Sequence, residues 1–138
     1  SSQIEIRIRY GETDQMGFCY YGNYAQFLEV ARVETLREKG ISYKELEEKG
    51  ILLPVRNFSI KYIAPAKYDD VIQIKTEISD IKNSQIIFKY SIYIKQKLIA
   101  TADTELVFVS KENFRPIKAP DDFKSLMVLR LDQSEEPD

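Results

Sequence analysis

The chain contains no histidine and no tryptophan, and only one cysteine, five glycines and five prolines in 138 residues. The missing histidine excludes Ser-His-Asp and Cys-His catalysis, histidine metal sites and imidazole acid/base chemistry. Any enzyme built on this chain must move protons with Asp, Glu, Lys, Tyr, Cys or water. A lone cysteine, Cys19, excludes an intramolecular disulfide and a cysteine-based zinc cage, so no metal site is expected. Apolar runs last only a few residues, which predicts no membrane span. The opening Ser1-Ser2-Gln3-Ile4-Glu5 lacks the charged-then-apolar layout of a secretory signal, and the expected compartment is the cytoplasm. A net charge of −2 and a pI near 5.3 argue against a general nucleic-acid binder, while leaving room for a local basic patch around a small phosphorylated ligand.

Hydrophobic residues make up 43% and charged residues 30%, an ordinary globular balance. The length suits one domain, expected over 1–125, with a partly disordered tail over 126–138 that turns polar and acidic from Asp132. Seven Phe and nine Tyr are enough aromatic bulk to fill a core.

Ile4, Ile6 and Ile8 alternate with Glu5, Arg7 and Arg9, the period of a half-buried strand. Turn formers then bracket Tyr10 to Gly17, which reads as a loop. From Asn23 the period becomes helical, with Tyr24, Phe27, Leu28, Ala31 and Thr35 on one stripe. Asn23 is expected to cap that helix, with Gln26 in the capping-box position, and Lys39-Gly40 to close it. Ser42-Tyr43-Lys44-Glu45 opens a short helix that Gly50 ends. Beyond it the chain reads as β. Arg56–Ile63, Ile72–Ile81, Ile86–Ile94 and Leu98–Val109 are the strands, and the last two connections are tight turns at Lys82-Asn83 and Gln96-Lys97. Such short connections demand antiparallel neighbours. One long helix and one antiparallel sheet of about five strands, with one short helix, make an α+β domain.

The loop before the long helix gathers Glu12, Asp14, Cys19, Tyr20 and Tyr21. A helix N-terminus offers unpaired N–H groups to an oxyanion, and a carboxylate seven residues upstream can fold back over it. That pairing supplies the proton acceptor or nucleophile and the carbonyl polariser that acyl transfer needs. Each residue also has a plainer reading. Asp14 would tie up loop amides, Glu12 would be a solvated or ion-paired charge, Cys19 a small buried apolar group, and the tyrosines helix-entry packing.

The run from Tyr10 to Tyr24, Tyr-Gly-Glu-Thr-Asp-Gln-Met-Gly-Phe-Cys-Tyr-Tyr-Gly-Asn-Tyr, resembles the signature of 4-hydroxybenzoyl-CoA thioesterase-like hotdog proteins. The likeness continues through Gly40–Tyr43, Leu52–Val55, Tyr62–Ala66 and Tyr68–Asp70, and spans roughly Ile4 to Phe123. The resemblance implies a hotdog fold, a homodimer or homotetramer with active sites between subunits, and hydrolysis of an acyl-CoA thioester. Coenzyme A is then part of the substrate and no cofactor is needed. By the same resemblance Asp14 matches the catalytic carboxylate, as nucleophile or general base, and Tyr21 the residue whose backbone N–H polarises the thioester carbonyl. Gly22 and Asn23 fall in the substrate-binding stretch, and Lys82 with Ser84 in the turn that meets coenzyme A phosphates. Many relatives carry His where Tyr21 stands, a change that a main-chain role tolerates. Two alternatives keep the fold: a thioesterase acting on acyl carrier protein, and a non-catalytic acyl-CoA-binding module.

Overall fold

The structure is a computed structural model that describes residues 2–126. In chain order it has β1 (Ser2–Arg7), a 3-10 turn (Tyr10–Glu12), α1 (Asn23–Glu38), α2 (Tyr43–Glu48), β2 (Ile51–Leu52), β3 (Val55–Tyr62), β4 (Val71–Lys82), β5 (Gln85–Ile94), β6 (Lys97–Val107) and β7 (Val109–Ser110). A further helical segment covers 121–126. Five strands form one antiparallel sheet in the order β1-β4-β5-β6-β3, and β2 pairs with β7 apart from it.

Period-2 patterning sets the inner face. Ile86, Phe88, Tyr90 and Ile92 on β5 are buried, as are Ile72, Ile74, Thr76 and Ile78 on β4 and Ala100, Ala102, Thr104 and Leu106 on β6. A register shift between Ile78 and Asp80 brings Ile81 opposite Ile86, so the apolar phase survives the extra residue. Against this face α1 lays Tyr24, Phe27, Leu28, Ala31, Thr35 and Leu36. Each large side chain so buried contributes about 1.5–3 kcal/mol. Leu36, off the expected stripe, joins the core, whereas Val30 stays exposed. Arg32 is buried too. Burial works against its charge, but Tyr90 and Tyr43 beside it hold the guanidinium above its ordinary pKa.

Several local expectations shift. The N-cap of α1 is Gly22, with no side-chain cap; Asn23 is already inside the first turn, and its Nδ2–H donates to the Glu12 carbonyl. Lys39 and Gly40 do end α1, Gly40 at φ 82. Ser42 caps α2 through the Glu45 N–H, as expected. Both hairpin turns sit apart from their expected positions by one residue, at Asn83-Ser84 and Lys95-Gln96. Lys95 and Gln96 both adopt positive φ, the backbone twist that a two-residue hairpin requires. Of the expected tail, 126–138, only Leu126 is described, and it is buried; the rest lies outside the described residues. No helix among the described residues is long and apolar enough to cross a membrane.

Candidate active site

The loop from Tyr10 to Gly22 is sewn to its surroundings almost entirely by backbone hydrogen bonds. Cys19 N–H donates to Ala66 O at 2.7 Å and Phe18 bridges to Lys67, which fixes the loop on the segment entering β4. Asp69 N–H donates to Ile8 O and Ile8 N–H to Asp70 O, while the Asp70 carboxylate accepts Lys67 N–H. Tyr68-Asp69-Asp70 is therefore a turn that ties β1 to β4. Within the loop, Asp14 N–H donates to Phe18 O at 2.8 Å. The Asp14 Oδ1 accepts Met16 N–H at 3.0 Å and Phe18 N–H at 3.2 Å. One oxygen thus holds the loop, as the plain reading expects, and Oδ2 engages no donor among the described residues.

Glu12 is buried, and its carboxylate accepts Arg9 N–H at 2.7 Å and the Arg9 guanidinium at 2.9 Å. Burial pulls its pKa up, but these two hydrogen bonds and the Arg9 charge outweigh that and hold it below the usual carboxylate value. The sequence reading allowed an ion pair here but not burial. The Arg9–Glu12 spacing, three residues across a turn, was the signal available. Cys19 is a buried apolar filler. Burial, then the Glu12 charge, pushes its thiol up to about 11, which keeps it protonated and unreactive at neutral pH.

At the start of α1, Tyr20 N–H donates to Glu12 O, Asn23 N–H to Tyr20 O and Tyr24 N–H to Tyr21 O. The N–H groups of Tyr21 and Gly22 meet no acceptor among the described residues, which leaves two adjacent donors at the positive end of a 16-residue helix. The Tyr62 hydroxyl donates to Tyr21 O at 3.4 Å. The rings of Tyr20 and Tyr21 rest on each other, 4.7 Å apart and exposed, so they do not serve as helix-entry packing. A Cβ on Gly22 would lie 2.7 Å from the Tyr20 ring, and glycine lets that ring lie where it does.

Asp14, Tyr21, Gly22 and Asn23 thus lie in one hydrogen-bonded loop and helix entry. Lys82 and Ser84 are not with them. They line an open groove of about 430 Å³ with Arg56, Asn83, Gln85, Val107 and Pro116. The returning C-terminal segment completes it: Phe108 N–H donates to Ser84 O and Ala119 N–H to Asn83 O, each at 2.8 Å. Lys82 makes no ion pair among the described residues, and Arg56 reaches Glu105 only at 3.8 Å. Two further cations, Lys61 and Lys67, lie at the Asp14 end, on β3 near Tyr62 and in the loop entering β4. The length of β4 separates the two places within one chain, 12 residues that extend up to about 35 Å at roughly 3.3 Å per residue. Among the described residues no cluster of three or more His, Cys, Asp or Glu side chains could hold a metal.

Known proteins share the fold. The thioesterase-like superfamily matches residues 8–127. The chain is similar to the acyl-CoA thioester hydrolase YbgC of Escherichia coli O6:H1, 31% identical over 116 residues, covering 83% of this chain and 87% of that one. Among solved structures, a DHNA-CoA thioesterase from Staphylococcus aureus superposes with a TM-score of 0.91 at 32% identity, covering 98% of this chain and 93% of that one. A 4-hydroxybenzoyl CoA thioesterase complexed with 4-hydroxybenzoyl CoA superposes with a TM-score of 0.84 at 25% identity, covering 91% and 96%. The chain belongs to the thioesterase-like superfamily and is a thioester hydrolase of the hotdog fold.

Proposed function

We propose that this enzyme hydrolyses acyl-CoA thioesters to a free acid and coenzyme A, with Asp14 as the reacting carboxylate and the Tyr21 N–H as the carbonyl polariser. The observation that carries this reading is the Asp14 carboxylate, anchored by two loop amides through Oδ1 while Oδ2 meets no donor among the described residues. It sits in the same hydrogen-bonded loop as the open N–H groups of Tyr21 and Gly22. Relatives acting on CoA esters supply the substrate class. As nucleophile, Oδ2 attacks the thioester carbonyl, the oxyanion forms at the Tyr21 N–H, and the thiolate of coenzyme A leaves. Water then opens the resulting anhydride and regenerates the carboxylate. As general base, Oδ2 takes a proton from water as that water attacks, and the thiolate leaves protonated. The chain supplies both routes without histidine, and no cofactor enters either.

In this reading the Lys82–Ser84 groove, with Arg56, takes coenzyme A phosphates. It is too far from Asp14 in the same chain, and a second copy closes the gap. β3 is a sheet edge bonded only to β6, and its Val55, Phe58 and Tyr62 are 45%, 39% and 45% exposed. An unpaired edge of this length with apolar side chains invites pairing. Antiparallel pairing of two copies of β3, centred between Phe58 and Ser59, sets Val55 of one copy against Tyr62 of the other. The groove of one copy then approaches the loop of the other. The working form is a homodimer, or a tetramer of such pairs, in the cytoplasm.

Steady-state hydrolysis of short, long and aromatic acyl-CoAs tests the reading. The parent turns over at least one ester, and Asp14→Asn loses about 10³-fold in kcat while still binding a non-hydrolysable thioether analogue. Equal turnover in both proteins would contradict the role of Asp14. Turnover confined to acyl carrier protein esters would move the substrate to that partner, and binding without turnover in the parent would make the chain a binding module.

A further inference from the structure

One carbonyl oxygen links the two halves of the reacting site. Glu12 O accepts Tyr20 N–H at 2.8 Å and Asn23 Nδ2–H at 2.8 Å. Glu12 lies two residues before Asp14. Tyr20 lies one residue before Tyr21, and Asn23 two residues after it. The carboxylate and the Tyr21 N–H therefore hang from the same atom by two short backbone tethers. That atom is itself held. Glu12 N–H donates to Arg9 O at 2.9 Å, and the Glu12 carboxylate takes both the Arg9 N–H and its guanidinium. On the far side, Thr13 N–H and Thr13 Oγ1 both donate to Tyr10 O, at 3.1 and 2.7 Å.

We infer that Asn23 is a positioning residue that sets the separation of Asp14 from the Tyr21 N–H by clamping the Glu12 carbonyl. The inference rests on the catalytic reading above. Its side chain is the only non-backbone donor on that carbonyl among the described residues, so it alone can be changed without rewriting the main chain. The residue type fits the job. As the first helical residue, Asn23 lies past the capping position, which Gly22 fills with no side-chain bond, and its amide reaches eleven residues upstream. The side chain donates toward the loop rather than toward open space above the helix end, so it acts on the geometry of the site and not through contact with substrate.

The tether predicts a particular kinetic signature. A misplacement near 1 Å between reacting groups costs about 10²-fold in rate. Asn23→Ala should therefore lose one to two orders of magnitude in kcat, with KM and the affinity for a thioether CoA analogue unchanged. Asn23→Ser, which keeps a donor on a shorter arm, should recover part of kcat. A rise in KM and a matching loss of analogue affinity, with kcat kept, would make Asn23 a substrate contact and overturn the inference. So would an Asn23→Ala enzyme with parental kcat. Running Asp14→Asn in the same series separates the two levels. An active parent, an inactive Asp14→Asn and an unchanged Asn23→Ala refute the tether alone, whereas a parent inactive on every thioester refutes the catalytic reading and the tether with it. A loss of kcat that tracks a fall in folded fraction by circular dichroism, and that Asn23→Ser shares in full, would also count against it.

Discussion

The two ends of the β4 strand are held in opposite ways. Around Asp14 nearly every polar group has a partner. Amides fix one carboxylate oxygen, Glu12 is ion-paired and buried, and Arg7 pairs with Asp69 beside the turn. Among the described residues, one Asp14 oxygen and the N–H groups of Tyr21 and Gly22 are among the groups left open there, and a carboxylate with such donors is what an acyl transfer uses. Around Lys82 the order is reversed. The backbone is tied by the returning C-terminal segment, and the cations are left loose and exposed. One end is pre-organised for geometry, where small displacements are costly. The other presents loosely held charge, which in the proposed reading attracts a mobile, multiply charged ligand without needing precision.

That contrast sets how each end should fail. Removing charge from the groove with Arg56→Ala and Lys82→Ala together should raise KM for a CoA ester about 10- to 100-fold, the scale of losing charge-assisted hydrogen bonds to phosphate, and leave kcat near parental. The difference should shrink as salt rises and vanish for a pantetheine ester that lacks the nucleotide. A fall in kcat instead would erase the distinction between the two ends. A smaller effect belongs to the loop. Glu12 has a native pKa below its unfolded value, so its stabilisation is full above the unfolded carboxylate range, about 4.3, and is lost as pH falls through the lower native value. Thermal melts should show Glu12→Gln a few degrees below the parent at neutral pH, with a constant gap down to about pH 5 that closes in more acid solution. A gap that widened on acidification would reverse the assigned shift.

Much of this was legible in the sequence wherever the information is local. β3 to β6 announce themselves by alternation, and α1 by its stripe from Tyr24 to Thr35. The turn positions slipped because Lys82 and Lys97 look like turn residues, while the actual turns follow the positive φ of Asn83, Lys95 and Gln96. Sheet order was not legible: β3 lies at an outer edge beside β6, and β1 beside β4, and such pairings are set by contacts distant in sequence. β2 and β7 are two residues each, too short for any period to register. In the site, the loop and its likeness to a known signature single out Asp14 and Tyr21 as the residues to test. The expected capping by Asn23 fails because α1 starts one residue earlier than the pattern suggests, with Gly22 as N-cap, and the Asn23 amide meets Glu12 O, a tertiary neighbour that no local pattern shows. Arg56 and Pro116 reach the groove from separate strands and loops, so only the fold could join them to Lys82 and Ser84.

The central claim is that the reacting end of one copy works with the charged end of another. Mixed oligomers test it directly. An Asp14→Asn chain is co-assembled with a chain carrying Arg56→Ala and Lys82→Ala, and the hydrolysis of an acyl-CoA is measured as a function of ester concentration. If the site spans two copies, each mixed pair contains one site with both Asp14 and an intact groove, and activity returns with the parental KM. If each site lies within one chain, no mixed pair contains an intact site, only the raised KM is seen, and the account is wrong.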